Sequence, residues 1–162
     1  MKRRTFLQAL MGLPAAISFV PSVEATHTPD QGIAPLSLSE KEWKARLNDQ
    51  QFYVLRDEGT ERAFSSHLND EKGEGKYHCA GCDLVLFTSE MKFDSGTGWP
   101  SFYTVVKGHI DTSTDFKLIY PRTEYHCVRC GGHQGHVFND GPQPTGERWC
   151  NNGVALNFVP KV

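Results

Sequence analysis

What this chain lacks bounds it first. Basic charge is not in excess: 17 Lys and Arg stand against 19 Asp and Glu, a net charge of −2 at pH 7. That leaves no basic footprint and argues against nucleic acid as a partner. No segment repeats itself. Long helical stretches are scarce, because 15 Gly and 9 Pro, with many Asp, Asn, Ser and Thr, punctuate the chain. Such punctuation suits short strands and turns. Cysteine is sparse too, with five in 162 positions. That length is enough for one domain with a real core. At 38% hydrophobic and 22% charged, the composition is that of an ordinary soluble globular protein.

The one extended apolar stretch, Phe6 to Val20, is interrupted by Gly12 and Pro14 and follows the charged Met1-Lys2-Arg3-Arg4. Val23-Glu24-Ala25 fits a small-residue cleavage site, so residues 1–25 have the layout of a signal peptide. Arg3-Arg4 resembles a twin-arginine export signal, which implies an exported, periplasmic protein that meets the membrane only through that signal. The alternative is a simple N-terminal anchor. Residues 26–37 read as a loose arm, and 38–161 as the domain.

Within the domain, Ser39 caps a helix that has Glu40 and Glu42 in its first turn, and Trp43 and Leu47 share one face. Gln50 to Arg56 reads as extended, and Glu61 to Leu68 as a short helix. Strands are expected over Lys76–His78, Asp83–Phe87, Ser101–Val106, Phe116–Tyr120, Thr123–Cys127 and Gly135–Asn139. Two more lie within Arg148–Val159, around Asn151-Asn152-Gly153. The expected fold is mainly β with short N-terminal helices: two small antiparallel sheets packed together.

Four of the five cysteines pair off as C-x-x-C knuckles, Cys79/Cys82 and Cys127/Cys130. Two such knuckles predict one tetrahedral Zn²⁺ held by four thiolates, with no open position and therefore structural. It would clamp the sheets and supply folding free energy. Disulfides, or a redox C-x-x-C pair, are the competing reading in an exported protein.

Cys150 is left over, in Arg148-Trp149-Cys150-Asn151-Asn152. If that stretch is extended, Arg148, Cys150 and Asn152 share a face. A guanidinium beside a thiol favours the thiolate, and an Asn amide can hydrogen-bond it or a substrate oxygen. The bland reading is a buried, inert thiol. His133 and His136 follow the second knuckle; they suit proton transfer in a cleft or are simply structural. Trp99, on the Gly96–Ser101 loop, lines a pocket for a small apolar group or plugs the core.

Several spaced motifs carry a family resemblance. They are Lys76–Cys82, Lys92-Phe93-Asp94-Ser95-Gly96-Thr97-Gly98-Trp99-Pro100-Ser101-Phe102, Arg122-Thr123-Glu124, His133-Gln134-Gly135-His136-Val137-Phe138, Asp140-Gly141-Pro142 and Arg148–Asn152. Together they resemble the B-type methionine sulfoxide reductases from about Leu38 to Pro160. The resemblance implies a β-tent-like pair of sheets and a structural zinc remote from the reaction. It also implies roles. Cys150 would attack the sulfoxide sulfur of an oxidised methionine in a protein or peptide and end as a sulfenic acid. Trp99 would receive the methyl group. His133, His136 and Asn152 would handle the oxygen and protons, with Arg148 supporting the thiolate. Many members carry a resolving cysteine where this chain has Thr97, so an external thiol, such as a thioredoxin-like protein, is implied as the reductant. Gln134 stands where Leu is common. A non-catalytic zinc-held binding module is the alternative to an enzyme.

Overall fold

The computed structural model describes residues 32–117 and 120–162. The signal expected over 1–25 and most of the arm lie outside the described residues; residues 32–37 have no regular structure. Among the described residues no helix is long and apolar enough to cross a membrane.

Helix α1, Glu40–Arg46, starts at the Ser39 cap, where a reciprocal capping box with Glu42 satisfies two free N–H groups. Helix α2, Asp49–Leu55, corrects the extended reading of Gln50–Arg56. Asn48 and Gln51 form a second capping box, and the helix buries Val54 and Leu55. The expected helix over Glu61–Leu68 reduces to a 3₁₀ turn at His67–Asn69. Its first half is bent by Phe64 at φ 64° and used for bonding, with the Glu61 carboxylate accepting from Gly153 N–H.

Strands β1 (Gly75–Cys79), β2 (Val85–Thr88) and β9 (Leu156–Pro160) form a three-stranded sheet in the order β2-β1-β9. The second sheet takes β3 (Lys92–Phe93), β4 (Ser101–Phe102), β5 (Ile110–Asp115), β6 (Arg122–Cys127), β7 (His133–Phe138) and β8 (Arg148–Asn151). Its order is β3-β4-β8-β7-β6-β5, and the paired strands in both sheets are antiparallel. The mainly β, two-sheet expectation therefore holds. The strand expected at Ser101–Val106 stops after two residues. The one expected at Phe116–Tyr120 lies earlier, as β5. It ends at Asp115, whose carboxylate accepts Lys117 N–H at 2.7 Å and turns the chain. Leu118 and Ile119 are outside the described residues.

Aromatic rings join the sheets. Phe87 of β2 stacks on Phe102 of β4 at 3.9 Å between centroids, and Tyr77 of β1 meets the same ring edge-on at 5.0 Å. On β8 the alternation sends Trp149 and Asn151 into this core, where Tyr125 Oη donates to Asn151 Oδ1 at 2.8 Å. Arg148 and Cys150 consequently point to the opposite face.

Candidate active site

The four paired cysteines are all buried, and their sulfurs lie within 4.8 Å of one another. Cys79 Sγ is 3.6 Å from Cys130 Sγ, and Cys82 Sγ is 3.5 Å from Cys127 Sγ. Zn–S bonds of about 2.3 Å at tetrahedral angles put sulfurs about 3.8 Å apart, whereas a disulfide needs about 2.05 Å. The donor set fits a zinc ion, and each close pair takes one cysteine from each knuckle. Cys79 ends β1 and Cys127 ends β6, so the cluster ties one sheet to the other. Gln134, wholly buried, points its Nε2 at Cys79 Sγ and at Gly132 O, both at 3.4 Å, while its Oε1 has no partner. Its amide supplies an N–H to a thiolate, which a leucine would not.

Cys150 sits in mid-sheet. Ser101 of β4 is its partner on one side and His136 of β7 on the other. Gly135 makes this pairing possible, because a Cβ there would lie 1.9 Å from the Cys150 carbonyl oxygen. Cys150 is half-buried and opens into a cavity of about 200 Å³ that also touches Trp99, His136, Phe138, Asn152 and Arg122. No zinc-type cysteine lines that cavity.

Each wall is fixed by a partner. Trp99 Nε1 donates to Glu61 O at 2.9 Å, which leaves the indole half-buried at the cavity edge. His136 Nε2 lies 2.8 Å from Asp115 Oδ2, which also accepts from Arg122 Nη2 at 2.6 Å. With Nε2 donating to the carboxylate, Nδ1 is the nitrogen left for the cavity. The Lys117 N–H, then His136 and Arg122, hold the Asp115 carboxyl well below the usual carboxylate range against the opposing effect of burial. Asn152 begins a 3₁₀ turn rather than continuing β8, so the turn positions it and not strand alternation. Its Oδ1 accepts Glu61 N–H at 2.8 Å, and its Nδ2 donates to Gln134 O at 2.9 Å. One Nδ2 hydrogen remains to face the cavity.

Two expected residues do not line the cavity. Arg148 is clasped by Asp140, Nε to Oδ1 at 2.8 Å and Nη2 to Oδ2 at 2.9 Å, and lies over the Phe138 ring at 4.3 Å. His133 is buried beside His136, 5.5 Å between ring centroids, with Nδ1 donating to Glu124 Oε1 at 2.8 Å. Burial pushes the His133 pKa down more than Glu124 lifts it. Around Cys150, burial pushes the thiol up. The Arg148 charge and then the Thr97 hydroxyl pull it back, without cancelling the rise. The expected help from Arg148 is present, and desolvation outweighs it.

Asp115 and Glu124 escaped the sequence reading. Asp115 looks like an ordinary turn former, and only the register of β5, β6 and β7 brings it to His136. Glu124 and Asp140 lie inside the quoted motifs, but nothing in the spacing assigns them partners.

Fold and site define a cysteine-centred β protein whose two sheets meet at a cluster of four buried cysteines that could hold a metal. Residues 47–160 match the SelR domain, and the chain belongs to that family, the B-type methionine sulfoxide reductases. Peptide methionine sulfoxide reductase B1, chloroplastic, of Arabidopsis thaliana is 51% identical over 123 residues, 75% of this chain and 61% of that protein. Peptide methionine sulfoxide reductase MsrB of Methanosarcina barkeri is 52% identical over 121 residues, 74% of this chain and 85% of the relative. For the MsrB of Leptospira interrogans the figures are 50%, 121 residues, 74% and 92%. The match thus spans less than two thirds of the plant proteins, 61% and 58%, and most of the microbial ones.

Proposed function

We propose that this protein reduces the R epimer of methionine sulfoxide in polypeptides to methionine, using an external thiol. The observation that carries the reading is the single cavity shared by Cys150, Trp99 and His136. The Cys150 thiolate attacks the sulfoxide sulfur and forms an S–S bond, while His136, carrying protons on both ring nitrogens, gives the Nδ1 proton to the oxygen, helped by the free Asn152 N–H. The hydroxyl then passes to Cys150: an O–S bond forms there, the S–O and S–S bonds to the methionine sulfur break, and methionine leaves beside a Cys150 sulfenic acid. One thiol then displaces water to give a mixed disulfide on Cys150. A second thiol attacks that disulfide and restores Cys150.

Sulfoxide oxygen is a poor leaving group until protonated, which is why an acid must face the oxygen while the thiolate faces the sulfur. Telling the epimers apart needs separate places for methyl and oxygen, here the Trp99 indole and the polar wall. Arg148 and His133 act from behind the wall, Arg148 through its charge and His133 by buttressing His136. Zinc, held by Cys79, Cys82, Cys127 and Cys130, supplies fold stability rather than chemistry. Export to the periplasm through residues 1–25 is supported by the Arg3-Arg4 motif and the apolar stretch after it. A thioredoxin-like protein there is the reductant proposed for Cys150.

The test incubates the protein with each sulfoxide epimer and dithiothreitol. Loss of the R epimer alone, abolished in Cys150→Ser, is the expected result. Turnover of neither epimer would sink the reading and favour a binding module.

A further inference from the structure

Arg122 lines the Cys150 cavity, and the reaction as proposed gives it no part there. Its Nη2 donates to Asp115 Oδ2 at 2.6 Å, the same oxygen that accepts from His136 Nε2 at 2.8 Å. The shared oxygen sets the guanidinium beside the Nε2 edge of the imidazole. The sulfoxide oxygen belongs at Nδ1, on another edge of the ring, so Arg122 is left to meet some other part of the substrate. A guanidinium has five N–H donors. Among the described residues Asp115 is the one group that accepts from this guanidinium, and Nε is buried with no partner. The Arg122 side chain is 23% exposed and that of Asp115 5%, so the cavity touches the cation and not the carboxylate paired with it. No carboxylate lines the cavity. Arg122 therefore brings unanswered N–H groups to a small site. Its volume of about 200 Å³ is below the roughly 300–1,000 Å³ of a pocket for a drug-sized ligand, so about one residue fills it.

We infer that Arg122 is a substrate-binding residue that donates to the main-chain carbonyl oxygen of the methionine sulfoxide itself. The inference rests on the sulfoxide-reductase reading above. With the sulfur at Cys150, the methyl on Trp99 and the oxygen at His136 and Asn152, the main chain of the same residue is the part still to be placed. Its carbonyl group lies no more than about 6 Å from the sulfur, so it stays within the same small cavity. Besides His136, Arg122 is the one charged donor among the walls. A carboxylate in the carbonyl's place would take a charge-assisted, bidentate bond from the guanidinium, about twice as strong as the bond to a neutral carbonyl. A methionine sulfoxide with its carboxylate free is therefore a better substrate than one followed by an amide.

Three R-sulfoxides test this: N-acetyl methionine sulfoxide, which ends in a carboxylate; its methylamide, which ends in a neutral carbonyl group; and butyl methyl sulfoxide, which has neither. The wild type is expected to give kcat/KM about 5-fold higher for the carboxylate than for the methylamide. Arg122→Met brings that ratio toward unity, chiefly through KM, and lowers butyl methyl sulfoxide reduction less than that of the methylamide. A loss common to all three substrates reports the contact of Asp115 with His136 and cancels in the ratio. Arg122→Lys keeps the charge without the planar fork and gives an intermediate ratio, which decides the matter if the Met variant does not fold. A wild-type ratio of unity, a ratio unmoved by the substitution, or a loss on butyl methyl sulfoxide as large as on the methylamide overturns the carbonyl contact. Reduction of the methylamide by the wild type preserves the functional reading in each of those cases. If the wild type reduces none of the three, both fall.

Discussion

Thr97 Oγ1 is tied to Ser101, the β4 partner of Cys150, through Ser95 Oγ, which lies 2.8 Å from each hydroxyl. Position 97 thus sits one hydroxyl away from the residue paired with the reacting cysteine, and it carries no thiol. In the wild type, substrate alone is expected to leave Cys150 as a dimedone-reactive sulfenic acid with no intramolecular disulfide. Thr97→Cys supplies a neighbour whose effective concentration is on the order of mM or more. Peptide mapping after a single turnover should then show a disulfide between position 97 and Cys150. A dimedone adduct that persists undiminished in the variant would contradict the proximity.

The Cys150 surroundings set its reactivity with pH. Burial raises the thiol, and Arg148, tethered to Asp140, recovers part of the loss. Iodoacetamide alkylation of Cys150 should therefore rise along a curve whose midpoint lies above the ordinary cysteine value of 9.0. Arg148→Met removes the favourable charge and moves the midpoint higher still. A midpoint below 9.0 in the wild type would mean that the guanidinium outweighs desolvation after all.

Periodicity and motif carried much of this molecule, and the failures share a cause. The knuckles and the two sheets were legible because they rest on residue types at fixed spacing, whereas the Cys150-Trp99-His136 grouping was implied only by the family resemblance. Helix α2 was misread because its apolar residues look extended; the Asn48–Gln51 box decided it. Asn152 lines the cavity beside Cys150, but a 3₁₀ turn and not the expected strand alternation brings it there. Asp115 was invisible because its partner His136 lies two strands away, and pairing register cannot be read from local sequence.

Acid should weaken the fold in two windows. Below its ordinary 6.5, an unfolded His133 takes a proton that the buried ring refuses, so stability falls with pH until the folded ring titrates too. Asp115 is depressed from its ordinary 3.8 by its hydrogen bonds, so its contribution is complete above that value and is lost as pH falls below it. Urea midpoints measured from pH 7 to pH 3 should show both declines. His133→Gln flattens the first and Asp115→Asn the second, with Asp115→Asn also costing about 1.5–3 kcal/mol at pH 7. An unchanged upper window in His133→Gln would place that proton elsewhere.

Zinc should be countable and its loss costly. Metal analysis is expected to give one zinc per chain. Because the cluster joins β1 to β6, chelation removes the tie between the sheets together with the folding free energy that the metal supplies. Gln134 adds a finer test. Its Nε2–H donates to Cys79 Sγ, and loss of such an outer partner typically weakens metal binding by about 10-fold or more. Gln134→Leu removes that donor and also the unpartnered Oε1, so the two effects on the fold oppose each other while the effect on the metal has one sign. Faster zinc transfer to a chromogenic chelator, with little change in melting temperature for the zinc-loaded protein, is the expected outcome. Equal transfer rates would leave the Gln134 amide without influence on the thiolate that it touches.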